Sequence, residues 1–363
     1  MGQITAQVCG PTSDLRADIA FFTKELGLRM DMIYPADDPR VAVFSGRGIT
    51  LRLDQGETGA PLRLRVPCED PAELGGAGLS TSPGGTTLEV TPLHVPLELP
   101  RTQHSFVVRR LADQAPWVIG RAGMQYRDLI PDRLGGSIIA SHIRIPDGGP
   151  VPDMVHYHTV GFQLIFCYRG WVDLVYEDQG EPFRLHAGNC VIQPPEIRHR
   201  VLFASDNIEV IEIGVPAEHV TTIDHEMTLP NGPANPERRF AGQAFVHHEA
   251  KDAHWAPHAL TGFESRDTTI AQNTQDVAGV HVIRPTGEAP LWACHDADIH
   301  FTFVMEGSLT LEGEGRDPHL LSAGDAFVIP PHMKVRYADP SADLELLEVT
   351  LPGTFSCTTG APT

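Results

Sequence analysis

The chain has 363 residues, 41% of them hydrophobic and 20% charged, a balance that suits a globular protein of two or three domains. Aspartate and glutamate (47) outnumber lysine and arginine (27), and the formal charge of −20 repels nucleic-acid phosphates and anionic lipid. Neither nucleic acid nor a membrane surface is therefore an expected partner. The start, MGQITAQVCG, lacks the basic residues and apolar run of a secretory signal, and no stretch approaches the ~20 apolar residues of a membrane helix. A cytoplasmic protein is expected.

Six cysteines (Cys9, Cys68, Cys167, Cys190, Cys294, Cys357) are scattered without a CxxC pair and read as reduced, mostly buried thiols. Glycine (34) and proline (31) are plentiful and favour short strands joined by tight turns.

Residues 1–95 read as a separate small α+β unit. After the strand-like TAQVCG, Ser13-Asp14 offers N-cap chemistry, and Leu15, Ile19, Phe22 and Leu26 recur on one face of a helix ending at Gly27. RMDMIY, RVAVFS and ITLRLD follow as strands. This βαβββ order, with the phrase FFTKELGLRM, resembles the glyoxalase-like (vicinal oxygen chelate) fold. A second module is hinted at only by LRLRVPCEDPAELGGAG and TTLEVTP. The resemblance implies a metal ligand on the first strand and a glutamate on the last. Here only Gln7, Cys9 and Glu89 stand in those places, so a packing or dimerisation role is expected instead.

From about residue 104 the chain repeats itself with a period of about 137 residues. The stretch beginning APWVIGRAGMQYRD at Ala115 is echoed by APHALTGFESRD at Ala256. Arg127-Asp128 matches Arg266-Asp267, Gly170 matches Gly307, Gly188 matches Gly324, and Pro194-Pro195 matches Pro330-Pro331. Two copies of one β-domain are predicted, at 104–223 and 256–355, joined by a linker at 224–255 rich in Pro, Asn and His.

In the first copy His156 and His158 stand two apart in a strand, so their imidazoles share a face about 6–7 Å apart and can chelate one ion. Gln163 shares a face with Ile165 and Cys167. His199 follows the Pro194-Pro195 turn, and a hairpin path would return it over the pair. Arg198 and Arg200 flank His199 and should point away from it, whereas Arg144 on the IRIP strand is a candidate to meet an anionic substrate.

These residues resemble the two motifs of the cupin family: His-x-His, four residues, an acidic or amide residue and a glycine turn, then Gly188 through Pro195 to His199. The resemblance spans both copies and implies a bicupin: a mainly β protein with two jelly-roll barrels in tandem behind the small α+β domain. It implies His156, His158 and His199 as metal ligands. Gln163 departs from the family's usual glutamate. It either ligates through its carbonyl oxygen or turns to hydrogen-bond substrate or dioxygen.

In the second copy His295 takes the place of His158 and His300 that of Gln163. Ala293 and Val335 replace the other two histidines, and His332 lies three residues off register. This barrel is expected to have lost its metal and to stabilise its partner.

Three neutral imidazoles leave the ion's charge uncompensated, which favours an anionic ligand in its open positions. Such sites suit iron first, with nickel, copper, manganese or zinc as alternatives. Cupins with three histidines and no carboxylate resemble thiol dioxygenases and ring- or diketone-cleaving dioxygenases. The expected function is a mononuclear non-haem Fe(II) dioxygenase acting with dioxygen on a small anionic metabolite, with a lean to a sulfur-containing one. A redox-neutral isomerase or lyase and a non-catalytic metabolite-binding protein are the rival readings, and a homodimer is expected.

Overall fold

The computed structural model describes residues 6–35, 37–113, 116–120 and 123–360. The predicted repeat start at Ala115 lies outside the described residues. The chain divides into a unit ending at Pro96 and a unit beginning at Leu97.

In the first unit, Asp14 caps the helix Leu15–Ala20 by accepting from the Ala17 N–H, and a π-helical turn, Phe21–Glu25, continues it. The predicted helix is therefore real, but its second half is wound one residue wider than an α-helix. Leu15, Phe22 and Leu26 are buried against Phe44, Leu51 and Leu53. A four-stranded sheet runs in the order Val8–Thr12, Ile49–Gln55, Val41–Gly46, Arg29–Tyr34, with the first pair parallel. Arg63–Cys68, Thr87–Pro92 and Gly78–Thr81 form a second sheet, one strand shorter. Glu89, the candidate ligand there, is instead paired with Arg63 at 2.9 Å.

The second unit is mainly β and shows the repeat directly. One sheet runs Cys190–Ile192, Phe162–Arg169, Ile208–Val215, Ile139–Ile145, Gln125–Asp128. Its counterpart runs Ala326–Val328, Ile299–Glu306, Glu345–Leu351, Gly279–Pro285, Phe263–Asp267. Each copy adds a smaller sheet: Phe183–His186, Trp171–Tyr176, His199–Ala204, His156–Thr159, Val220–Ile223 in the first, and His319–Ser322, Ser308–Gly313, Val335–Ala338, Ala293–His295, Cys357–Thr359 in the second.

Strand alternation divides the core. Phe162, Leu164, Phe166 and Tyr168 face Phe301, Phe303 and Met305 in one cluster shared by both copies. The intervening Gln163, Ile165 and Cys167 point the other way, into the interior of the first copy. These strands read as unbroken apolar runs because both faces are buried.

The copies also exchange edges. Val246–His248, from the stretch expected to be a linker, pairs with Cys190–Ile192 of the first copy. Val107–Arg109, from the start of the first copy, pairs with Ala326–Val328 of the second. Each large sheet thus has an edge covered by a strand from beyond its own repeat, which removes an exposed template for further pairing.

The matched residues of the repeat meet across this junction. Arg127 Nη2 donates to the Gly324 carbonyl at 2.6 Å, and Arg266 Nη2 donates to the Gly188 carbonyl at 3.0 Å. Both guanidinium groups are buried. Gly188 and Gly324 have φ of +85° and +93°, a region that favours glycine, so the turn that presents each carbonyl needs a glycine there. No helix among the described residues is long and apolar enough to cross a membrane.

Candidate metal centre

His156 and His199 lie directly opposite each other on neighbouring antiparallel strands, and His158 is two residues along the same face. All three are buried. Their ligand atoms all lie within 4.8 Å of one another, and no other such cluster of His, Cys, Asp or Glu occurs among the described residues. The ring centroids are 4.2–5.2 Å apart.

Each Nδ1 is engaged. His156 Nδ1 donates to the Met154 carbonyl at 2.7 Å, and His199 Nδ1 donates to the Ile197 carbonyl at 2.9 Å. His158 Nδ1 meets Thr221 Oγ1 at 2.9 Å. A carbonyl can only accept, so the proton sits on Nδ1 and the lone pair on Nε2 in His156 and His199. That is the arrangement in which a polar partner orients a ligating imidazole. The donor set, three neutral buried imidazoles, fits a divalent transition metal ion.

Sequence reasoning missed three groups that surround the histidines. Asp153 is buried, its Oδ2 accepts the Val201 N–H at 2.9 Å, and its Oδ1 lies 3.7 Å from His156 Nδ1. It ties the turn before His156 to the strand of His199. Asp153→Ala is expected to lower metal affinity about 10–100-fold, read by competition with a chromogenic chelator. His219 packs edge-on to His158 at 5.4 Å.

The third is Glu212. It lines the same cavity as the histidines and accepts from Gln163 Nε2 at 2.7 Å. Gln163 is fully buried and is not among the residues lining the cavity. The position where the family motif places a carboxylate therefore holds an amide that grips one from the neighbouring strand. Pairing of Gln163 with Gly214 sets Glu212 two residues along that strand, diagonally across. In IEVIEIGV, Glu212 falls on the same strand face as Ile208 and Val210, and a lone acid on an apolar face was the available signal.

The cavity encloses about 80 Å³ and the rest of its wall is mostly apolar, with Met124, Ile143, Leu174, Val201 and Val210 among its residues and Tyr126 and Gln193 as further polar side chains. Ile143 and Ile145 line it, so Arg144 between them points away; its guanidinium hydrogen-bonds Gln125 Oε1 at 2.8 Å and stacks on Trp117. Arg198 turns away too, pairing with Asp224 at 3.2 Å. Burial raises the Cys167 and Cys190 thiols to about 12, so neither supplies a thiolate.

The second copy repeats the strand geometry with different chemistry. His300 pairs with Thr350 as Gln163 pairs with Gly214, which places Glu348 where the first copy has Glu212. Glu348 is fully buried and accepts from His300 Nε2 at 2.9 Å and His258 Nε2 at 3.2 Å. Burial alone would raise its carboxyl, but the two histidine charges and hydrogen bonds hold it well below the usual range. Burial would likewise lower His258, and the Glu348 charge and hydrogen bond outweigh it and raise it. His295 is pushed down to about 3, by burial first and then by the His300 charge. The cavity here is only about 10 Å³, room for about one water molecule.

Residues 279–350, in the second copy, match the family model described as a cupin domain. No curated protein matches the sequence significantly. Among solved structures the chain is similar to salicylate 1,2-dioxygenase from Pseudaminobacter salicylatoxidans, at 14% identity and a TM-score of 0.52, covering 72% of this chain and 90% of that one. It is also similar to oxalate decarboxylase from Lactobacillus farciminis in its formate complex, at 13% identity and a TM-score of 0.52, covering 72% and 91%. A variant of the Bacillus subtilis oxalate decarboxylase matches at 11% identity and a TM-score of 0.52, covering 75% and 88%. The chain is mainly β, carries a cupin domain at 279–350, and has the tandem cupin fold of these enzymes.

Proposed function

We propose that this protein is a mononuclear metal-dependent enzyme whose ion sits on His156, His158 and His199, and that it is a non-haem Fe(II) dioxygenase for a small molecule. The observation that carries this reading is the cluster of three buried imidazoles with ligand atoms within 4.8 Å, at the wall of a cavity. A bound divalent ion there would supply a Lewis acid and, as iron, a centre for dioxygen chemistry.

The protein's own groups hold and orient. The Met154 and Ile197 carbonyls fix the tautomers of His156 and His199, Thr221 orients the His158 ring, and Asp153 ties His156 to the His199 strand. Gln163 acts as a positioning residue, holding the Glu212 carboxylate at the cavity wall. The apolar wall keeps bulk water from the reacting atoms. Neither the cavity nor the similar structures favour a sulfur-containing substrate, so that lean is set aside. We also assign residues 1–95 to a glyoxalase-like unit, on its βαβββ order and its shorter second sheet. The barrel boundaries at 104–223 and 256–355 follow the repeat, with the exchanged edge strands crossing them.

The likeness to oxalate decarboxylases favours a second reading, a redox-neutral lyase using the ion only as a Lewis acid. Metal-free protein reloaded with Fe(II) or Zn(II) separates the two, tested against catechols, hydroxybenzoates and diketones. Substrate-dependent oxygen uptake with iron alone is the expected result. Turnover with either metal and no oxygen uptake would contradict it and establish the lyase.

A further inference from the structure

The two buried arginines that pin the copies together each hydrogen-bond an imidazole as well as a turn of the other copy. Arg127 Nη2 donates to the Gly324 carbonyl at 2.6 Å and to His142 Nδ1 at 3.0 Å. Arg266 donates through Nη2 to the Gly188 carbonyl at 3.0 Å and through Nη1 to His248 Nε2 at 3.3 Å. We propose that this junction is an acid-sensitive latch, closed while His142 and His248 are neutral and released when both take up a proton. It needs no metal on the three histidines of the first barrel.

Donor chemistry carries it. A guanidinium can only donate, so His142 Nδ1 and His248 Nε2 must each offer a lone pair. The one proton of the neutral His142 ring therefore sits on Nε2, which donates to the Glu209 carboxylate. Protonating either acceptor nitrogen sets an N–H against an N–H and brings two like charges together where water is scarce. Arg127 has nothing to fall back on: its Nε and Nη1 are buried without a hydrogen-bond partner, so the Nη2 bonds are the ones that hold it.

The surroundings set the direction. His142 is buried and packs against Trp117, Tyr168 and, from the second copy, Phe303. The charged groups facing it are Arg127, Glu209 and Arg169, with Arg109 and Asp325 beyond Arg127. Burial pushes its value down, the Glu209 hydrogen bond opposes that, and the Arg127 charge adds to it. His248 lies opposite Cys190 and faces Arg266, Asp267, His247 and Asp252, while Cys190 and Glu345 face Arg266. Burial first and the Arg266 charge second push His248 down. An opened junction returns both rings to about 6.5 and so binds more protons than the closed one. Closure is therefore strongest above about pH 6.5 and weakens as pH falls from there toward the lower values of the closed state.

The latch reaches the histidine cavity. Arg127, His142 and Glu209 sit beside Tyr126, Ile143 and Val210, which line the cavity from the other face of the same strands. Release at the junction is expected to loosen that wall.

Hydrogen exchange on the full chain, read by mass spectrometry and corrected for the intrinsic pH dependence of exchange, tests the latch. Between about pH 7.5 and about pH 5, protection of Gln125–Asp128 and Phe263–Asp267, the strands of the two arginines, is expected to fall at least about tenfold. The helix Leu15–Ala20 of the first unit should keep its protection. In the double variant His142→Asn/His248→Gln the new amide oxygens accept from the arginines without titrating, and the fall should be no more than about twofold. Unchanged protection in the wild type overturns the proposal, and so does a fall that persists in the double variant. Should the double variant not fold, each single variant is expected to lose about half of the response on a logarithmic scale, and a full response in both overturns the proposal.

Discussion

Replacing Glu348 by alanine is expected to cost about 3–5 kcal/mol of folding stability, measured by urea denaturation at pH 6. The carboxylate is fully buried in the second barrel between His258 and His300, and removing it leaves the Nε2 donors of both without an acceptor and takes from His258 the charge that raises it. The loss should be pH-dependent in two senses. Glu348 has a depressed carboxyl, so its contribution is present above the unfolded value of about 4.3 and is lost as pH falls through the lower folded value. His258 has a raised value, so its contribution is complete below about 6.5 and is lost as pH rises through the folded value. Wild-type stability from this cluster therefore peaks between about pH 4.5 and 6.5, and Glu348→Gln should flatten that peak. A variant as stable as the wild type across this window would contradict the account of the second barrel as a self-neutralised structural core.

Replacing His199 by alanine is expected to weaken metal binding by more than about 100-fold while leaving the fold intact. At a hundredfold excess over its dissociation constant a bound ion stabilises the native state by about 2.7 kcal/mol. That increment, measured as the rise in unfolding free energy on adding zinc, should be present in the wild type and absent in His199→Ala. Retention of the increment would place the ion elsewhere.

The strand period made much of this site readable. His156 and His158 share a face because strand side chains alternate, and His199 is brought opposite His156 by the hairpin after Pro194-Pro195. Gln163 was placed correctly on the inward face, yet its partner was hidden. Glu212 lies 49 residues further on in a different strand, and only the pairing register brings the two together. The same register puts Glu348 beside His300, which explains why the second barrel keeps a histidine there without its chelating partners. The exchanged edges were not legible either. Val107–Arg109 and Val246–His248 are three-residue strands, too short for an alternation signal, and their pairing depends on the neighbouring copy. The buried arginines were visible only as matched positions of the repeat, because a charge that crosses between domains leaves no local pattern.

The central claim is one ion per chain, held by the first barrel alone. The most direct measurement is metal stoichiometry after equilibrium dialysis of the metal-free protein against zinc, for the wild type, His156→Ala and His300→Ala. The account predicts one ion in the wild type, none in His156→Ala and one in His300→Ala. Two ions in the wild type, or an ion that survives His156→Ala and disappears with His300→Ala, would contradict it.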